Sequence, residues 1–371
     1  MTITTRKATA AAMVPDHYCI FCILTGFGFC TQWIVMVLNG SFVAMVMTTW
    51  KGVFPTGTPV KTTWIGIWPI DFVLGLLVVF FGAVNNIADL ADLGPFLMLV
   101  DLVFTLVVFN IMTLVEDRRN RKSGPLRYPA VWQFLWNWCG AASVLPVYSH
   151  LYLTKRPASA SYVPAEQQQA LVFTSIWSIL ISLPIILPSV LGASPVQVQF
   201  GVVVWFFAPL TLGPFQDLCS FLGSSTGYVG VGHPIKAAYS IVGGFSAMVH
   251  ISVALAPYLC GPEVTWSRIY WPNHRAPQPD HRSFMTEGAM LFMQYDHIVI
   301  YLCVLALGVY ILRFNHATVS KPRSRKTMVG YPMLTLVAIT AIAGPGSALA
   351  WLLSRERETV KDAKVAVKNC T

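Results

Sequence analysis

The chain has 371 residues, 55% of them hydrophobic and only 11% charged, with a net charge of +9 and a mean hydropathy of +0.60. Soluble domains carry about 25% charged residues, so this composition excludes an ordinary water-soluble globule and indicates a polytopic membrane protein. Its basic residues fall in short clusters beside apolar runs, as membrane topology and anionic headgroups require, and no basic stripe interleaved with aromatics offers itself to nucleic acid.

The expected fold is an all-α transmembrane helical bundle of about 8–9 spans. Residues 1–17 form a polar N-terminal segment, 18–353 a single transmembrane domain and 354–371 a polar, solvated tail. The first apolar run, from Tyr18 to Met47, exceeds what one span needs and reads as a tilted helix or a helix plus an interfacial segment. No small-residue cleavage site follows a short apolar core, so the first helix is expected to be retained. A Pro/Gly/Thr loop over 51–63 precedes a second span, Trp64 to Ile87, with Pro69 in its first turn and Asp71 placed as a helix-start acid. A third span from Gly94 to Val115 carries Asp101, and a basic loop over 116–128 follows. Residues 131–153 read as a fourth span rich in aromatics, in which Trp136 and Trp138 lie deep enough to line a cavity. The remaining spans run from Ala170 to Leu191, Phe200 to Leu222 with Asp217, Ala237 to Leu259 with His250, Met285 to Leu312, and Val329 to Leu353. A Trp/Pro/His-rich connection over 261–284 could act as a lid. In a nine-span chain the side that holds the C-terminus has more Lys and Arg, so the positive-inside rule favours a cytosolic C-terminus, but only weakly, because the strongly basic loops 116–128 and 313–328 fall on opposite sides.

Chemistry concentrates in the Met285–Leu312 stretch, which carries Glu287 at its start and Asp296 inside it. With 1.5 Å rise per residue, Asp296 lies about 13 Å deeper than Glu287, near the middle of the hydrocarbon. A carboxylate there costs about 2.5–3.5 kcal/mol on insertion scales unless it is protonated, paired or facing a wet cavity. Asp101, Asp217 and Asp296 are the acids expected deepest. Each either fixes helix packing through a polar neighbour or persists as a neutral acid that can donate a proton, because burial disfavours the charged form. Glu287 and Asp296 lie on opposite faces of the helix, so their partners must come from other spans, whereas Gln294 shares the face of Glu287. Histidines 150, 250 and 297 could orient an acid or simply be packing residues.

The load of 12 Trp, 13 Tyr and 22 Phe serves lipid contact, but in a cavity aromatic faces also stabilise cations. An acid that protonates a lipophilic olefin or epoxide, among aromatics that shield the carbocation, is a coherent constellation needing no metal or other cofactor. Eight cysteines lie mostly in apolar runs, and the lone Cys19-x-x-Cys22 has no second pair to make a zinc site. The run Asn86-x-x-Asp89-x-x-Asp92 partly resembles the first Asp-rich motif of UbiA-type prenyltransferases, but no second motif accompanies it and a plain acidic turn explains it. Intramembrane acids also suit a proton-coupled transporter or receptor; against this stands the lack of an internal repeat.

The loop Trp266-Ser-Arg-Ile-Tyr-Trp-Pro and the helix Thr286-Glu-Gly-Ala-Met-Leu-Phe-Met-Gln-Tyr-Asp296 resemble the fungal integral-membrane terpene cyclases of meroterpenoid pathways, the ascofuranone and macrophorin type. The resemblance implies an endomembrane enzyme that protonates an olefin or epoxide on a farnesyl-type chain and cyclises it through a carbocation. On that reading Asp296 is the proton donor. Asp217 or Asp101 bonds to it or serves as a second acid, and Glu287 sits at the mouth. Trp136, Trp138, Phe292, Tyr295, Gln294 and His250 contact the substrate. The partners are then a lipophilic prenylated small molecule and membrane lipid.

Overall fold

The computed structural model describes residues 17–119, 124–155, 163–226, 232–279, 281–319 and 325–368. Among them the regular structure is helical, joined by loops and with an isolated antiparallel bridge between Val53 and Pro59. Eight helical stretches are long and apolar enough to cross a membrane: His17–Leu38, Trp68–Asn85, Gly94–Arg118, Ala165–Val190, Pro195–Gly223, Pro234–Tyr258, Phe284–Leu312 and Gly330–Arg355. The polar tail continues as helical backbone to Lys368.

The first apolar run resolves into two helical parts. Helix α1 (His17–Phe29) passes through a π-helical turn, Cys30–Ile34, into α2 (Val35–Leu38). Asn39 and Gly40 then turn the chain into α3 (Ser41–Lys51), with Gly40 at φ +83°. Helix α4 (Trp68–Asn85) starts as its sequence demands: Pro69 occupies the first turn, and the Asp71 carboxylate accepts the backbone N–H groups of Trp64, Ile65 and Gly66. Helix α5 (Gly94–Arg118) is apolar all round and is the mast of the bundle, with α4, α6, α8, α12, α14 and α15 against it. After α5 come α6 (Pro129–Cys139), α7 (Ala141–Lys155), α8 (Ala165–Leu180), α9 (Leu183–Val190), α10 (Pro195–Phe207), α11 (Leu212–Thr226), α12 (Pro234–Leu255), the short α13 (Trp266–Tyr270), α14 (Phe284–Val319) and α15 (Arg325–Lys368).

The expected span over 131–153 does not form. Gly140 adopts φ +86°, ψ 137°, which no helix accommodates, and divides the stretch into α6 and α7. Trp132 and Tyr148 lie at equal sequence distance on either side of Gly140, yet their rings are 5.3 Å apart. The two helices therefore fold back on each other as a hairpin.

Helix α15 behaves the same way at Gly344, where φ is 84° and ψ 164°. Leu336 and Leu352 flank Gly344 symmetrically and would lie about 24 Å apart on a straight helix. Both pack on Gly308 of α14, since a Cβ built there would meet Leu336 Cδ2 at 2.1 Å and Leu352 Cδ2 at 3.8 Å. The last apolar stretch is thus a second helical hairpin. Small residues permit these close approaches. A Cβ on Gly28 would strike the Ala142 carbonyl, and one on Gly243 would meet Ala350 Cβ at 2.4 Å.

Candidate functional site: a single acid in an aromatic chamber

A chamber opens between the π turn, α2, α3, α4, α5, α6, α10 and α14. Its walls are apolar and aromatic: Trp33, Phe42, Phe80, Phe81, Trp136, Trp138, Trp205 and Phe292 face it, with methionines and leucines between them. Phe292 receives Trp33 and Phe80 at interplanar angles of 87° and 74°, with ring centroids 5.7 and 5.1 Å apart. Edge-to-face contacts of this kind fix ring faces that can stabilise a cation. Only two lining residues have polar side chains other than indole, Asn137 and Asp296, and Asp296 is the one acid.

The α6–α7 hairpin places that acid. Gly140 brings the start of α7 against α14, and the Ala142 N–H donates to Asp296 Oδ1 at 2.5 Å. Gln32 Nε2, from the π turn, donates to the same oxygen at 2.6 Å. Helix N-termini present unsatisfied N–H groups and positive partial charge, and here one is aimed at a side chain 5% exposed. Any side chain at residue 140 would collide with Gln32 Oε1 at 2.5 Å and Phe292 Cζ at 2.7 Å.

A second buried cluster lies on the far side of α14. Asp101 Oδ2 accepts from His250 Nδ1 at 2.8 Å and from the Tyr270 hydroxyl at 2.9 Å, with His297 Nε2 at 4.0 Å. Tyr301 Oη lies 3.4 Å from His250 Nε2. Asp101 and His250 are 1% and 4% exposed, and Asp101 Oδ1 and His297 Nδ1 have no hydrogen-bond partner. The tip of the second hairpin presses on this cluster: a Cβ on Gly344 would meet His250 Cγ at 2.7 Å. Asp101, His250 and His297 bring their ligand atoms within 4.8 Å of one another, close enough to surround an ion. Their hydrogen bonds already join Asp101 to His250 and Tyr270, so the geometry accounts for the cluster as a packing network of the kind weighed for the sequence.

Helix α13 closes over that cluster as a strap. Arg268 makes two 2.7 Å bonds to Glu287 and reaches Asp92 Oδ2 at 3.0 Å. Gln294 Nε2 donates to the carbonyls of Arg268 and Ile269 at 3.0 and 3.2 Å. Glu287 and Gln294 thus share a face of α14, as their spacing requires. Burial alone would lower the Arg268 pKa, but Glu287 and Asp92 together carry it above its ordinary value. Burial first, and then the Asp101 charge, pushes the Tyr270 phenol far above its usual range, so it stays a proton donor to Asp101.

These placements correct several expectations. Asp217 is not deep: its side chain is 56% exposed and pairs with Arg118 at 3.1 Å, at the far end of α5. Its neighbour Gln216 takes the buried face of α11, bonded to Thr174 and Gln167, and one residue turns the helix by about 100°, leaving Asp217 outward. Arg118 lies about 25 Å along α5 from Asp101, so Asp217 joins neither centre. Asp101 makes no hydrogen bond to Asp296; the two acids serve different clusters. Glu287, Gln294, Tyr295 and His250 do not line the chamber, since the first two hold the strap, Tyr295 bonds His274 at 2.6 Å and His250 bonds Asp101. Trp136, Trp138, Phe292 and Asp296 do line it. Asp89 accepts from Thr58 and Asn86, each at 2.7 Å, and Asp92 holds Arg268, so the acidic turn is engaged in structure and faces no chamber.

Gln32 is the residue the acids-first reading passed over. The available signal was an amide embedded in the first apolar run, a placement that is costly unless the amide is hydrogen-bonded.

A transmembrane bundle with one acid in an aromatic chamber is the class that the geometry defines, and the comparisons with known proteins specify it. The CtvD domain model matches residues 17–360, and the chain belongs to this family. It is 25% identical over 358 residues to a protein of Alternaria brassicicola described as "Terpene cyclase DEP1", covering 90% of this chain and 96% of that protein. Its counterpart of the same description in Fusarium langsethiae is 27% identical over 353 residues, covering 89% and 95%. The resemblance to fungal membrane terpene cyclases thus extends over most of the chain, well beyond the C-terminal third. No solved structure matches.

Proposed function

We propose that the chain is a terpene cyclase of an endomembrane, such as the endoplasmic reticulum, that cyclises a farnesyl-type chain on a polar head by acid initiation, with Asp296 as proton donor. The observation that carries this reading is the lone carboxyl group in an otherwise apolar, aromatic chamber; the relatives described as terpene cyclases support it.

The protonated carboxyl of Asp296 delivers its proton to the less substituted CH carbon of the chain's last double bond, or to an epoxide oxygen. In the second case the C–O bond to the more substituted carbon breaks, and the oxygen stays on the neighbouring carbon as a hydroxyl. The tertiary cation is attacked by the next double bond, forming a C–C bond and passing the charge along the chain. The ring faces of Trp33, Phe80 and Phe292 stabilise that charge, and the apolar walls keep water from capturing it early. Loss of a proton, or capture by a hydroxyl of the substrate itself, ends the sequence with the mass unchanged. The initiating step uses no metal.

The test is to incubate membranes containing the chain with a farnesylated phenol, and with its terminal epoxide, with and without EDTA. A new product of unchanged mass in both conditions is the expected result. A mass gain requiring an isoprenoid diphosphate and Mg²⁺ would make the chain a prenyltransferase, and uptake without conversion would make it a transporter.

A further inference from the structure

We propose that Gln32 is the positioning residue for Asp296: it determines which carboxyl oxygen carries the proton. The inference rests on Asp296 as the donor, and adds to that reading the device that aims it.

Gln32 is fully buried. Its side-chain amide is fixed at both ends. The Ser143 hydroxyl donates to Gln32 Oε1 at 3.2 Å, which leaves the Nε2 end facing α14. That end donates to Asp296 Oδ1 at 2.6 Å, with the Phe292 carbonyl a further acceptor at 3.4 Å. The Ala142 N–H occupies the same Oδ1. A carboxyl oxygen accepting two N–H bonds is the carbonyl oxygen of the neutral acid, because a hydroxyl oxygen there would set its own hydrogen against a donor. The acidic proton is therefore confined to Oδ2. Without Gln32 only backbone N–H groups, those of Ala142 and Ala141, would remain to hold the carboxyl group.

The surrounding structure is shaped to this contact. Gln32 sits in a π-helical turn, Cys30–Ile34, within an otherwise α-helical run. Such single-turn insertions are rare and concentrate at functional sites. Across from it Gly140 leaves the space that the Gln32 amide fills, since a Cβ there would lie 2.5 and 2.7 Å from the two amide heteroatoms. Ser143, three residues on, holds the amide from the same hairpin.

The test compares Gln32→Leu and Gln32→Glu with the wild-type enzyme in detergent, after size-exclusion chromatography and a thermal unfolding scan confirm the fold. Gln32→Leu keeps the volume and removes the donor. It is expected to lower kcat by about 10- to 100-fold, the worth of a hydrogen bond to a charge-developing group, while KM changes less than about threefold. Gln32→Glu, whose neutral acid form retains one donor, is expected to recover part of that kcat. An infrared readout needs no activity: the carboxyl C=O stretch, identified by its loss in Asp296→Asn, should move to higher frequency in Gln32→Leu as one bond to the carbonyl oxygen disappears.

A folded Gln32→Leu with wild-type kcat, or with an unmoved carboxyl band, overturns the proposal. If Gln32→Leu fails to fold, Gln32→Glu and its carboxyl band decide: full kcat loss with an unmoved band overturns it as well. Activity that survives Asp296→Asn would instead sink the donor assignment, whatever Gln32 does.

Discussion

Asp296 and Asp101 are both deep aspartates on or beside α14, yet their surroundings assign them different work. Asp296 has neutral partners, Gln32 and the Ala142 N–H, and faces the chamber. Asp101 has two imidazoles and two phenols around it and no chamber. The contrast yields opposite expectations. Asp296→Asn, isosteric and with neutral neighbours, should leave the thermal midpoint nearly unchanged while removing turnover. His250→Ala strands the Asp101 carboxylate in the interior, and breaking such a pair costs about 3–5 kcal/mol, so a lowered midpoint in a detergent melt should appear. A His250→Ala protein as stable as wild type would show that Asp101 is not held by that pair. The depth of Asp101 and Asp296 was legible in the sequence because each interrupts a long apolar run. Asp217 was misjudged for a physical reason: an apolar run says that a helix is in the membrane but not which way each residue faces. There Gln216, one position away, took the inner side.

Among the helices, the two hairpins carry the architecture that sequence periodicity hides. Residues 131–153 and 329–353 read as spans because hydropathy counts residues and is blind to one glycine at positive φ. Gly140→Ala joins a left-handed backbone penalty of about 1–2 kcal/mol to collisions with Gln32 and Phe292. Loss of turnover, together with a lowered midpoint, is the expected outcome; a fully active Gly140→Ala enzyme would show that the tip tolerates displacement. The strap was better anticipated. The spacing of Glu287 and Gln294 puts both on one face, the face that α13 is tied to. Its latch, Arg268, had no sequence signal beyond a basic residue in an aromatic loop. Arg268→Met removes bonds to two partly buried carboxylates. The cost is about 2 kcal/mol, and faster proteolysis within 261–283 is the measurement that checks it. Unchanged cleavage would mean that Gln294 and Tyr270 hold α13 without Arg268.

For the molecule as a whole, composition and run length sufficed for a polytopic helical bundle, since a chain with 11% charged residues has little else to become. The family match spans residues 17–360, nearly the whole chain. What composition could not supply is the chamber, because it arises where segments distant in sequence meet, and most walls contribute one or two rings that alone look like lipid-facing aromatics. The central claim is that this chamber uses one carboxylic acid to start a cation cascade. The most direct measurement is product formation by wild-type and Asp296→Asn enzyme at matched membrane content, on a farnesylated phenol and its epoxide. The account predicts a cyclised, mass-neutral product from the wild type and a rate at least about 100-fold lower from the variant, as loss of a general acid entails. Equal rates from the two proteins would contradict it.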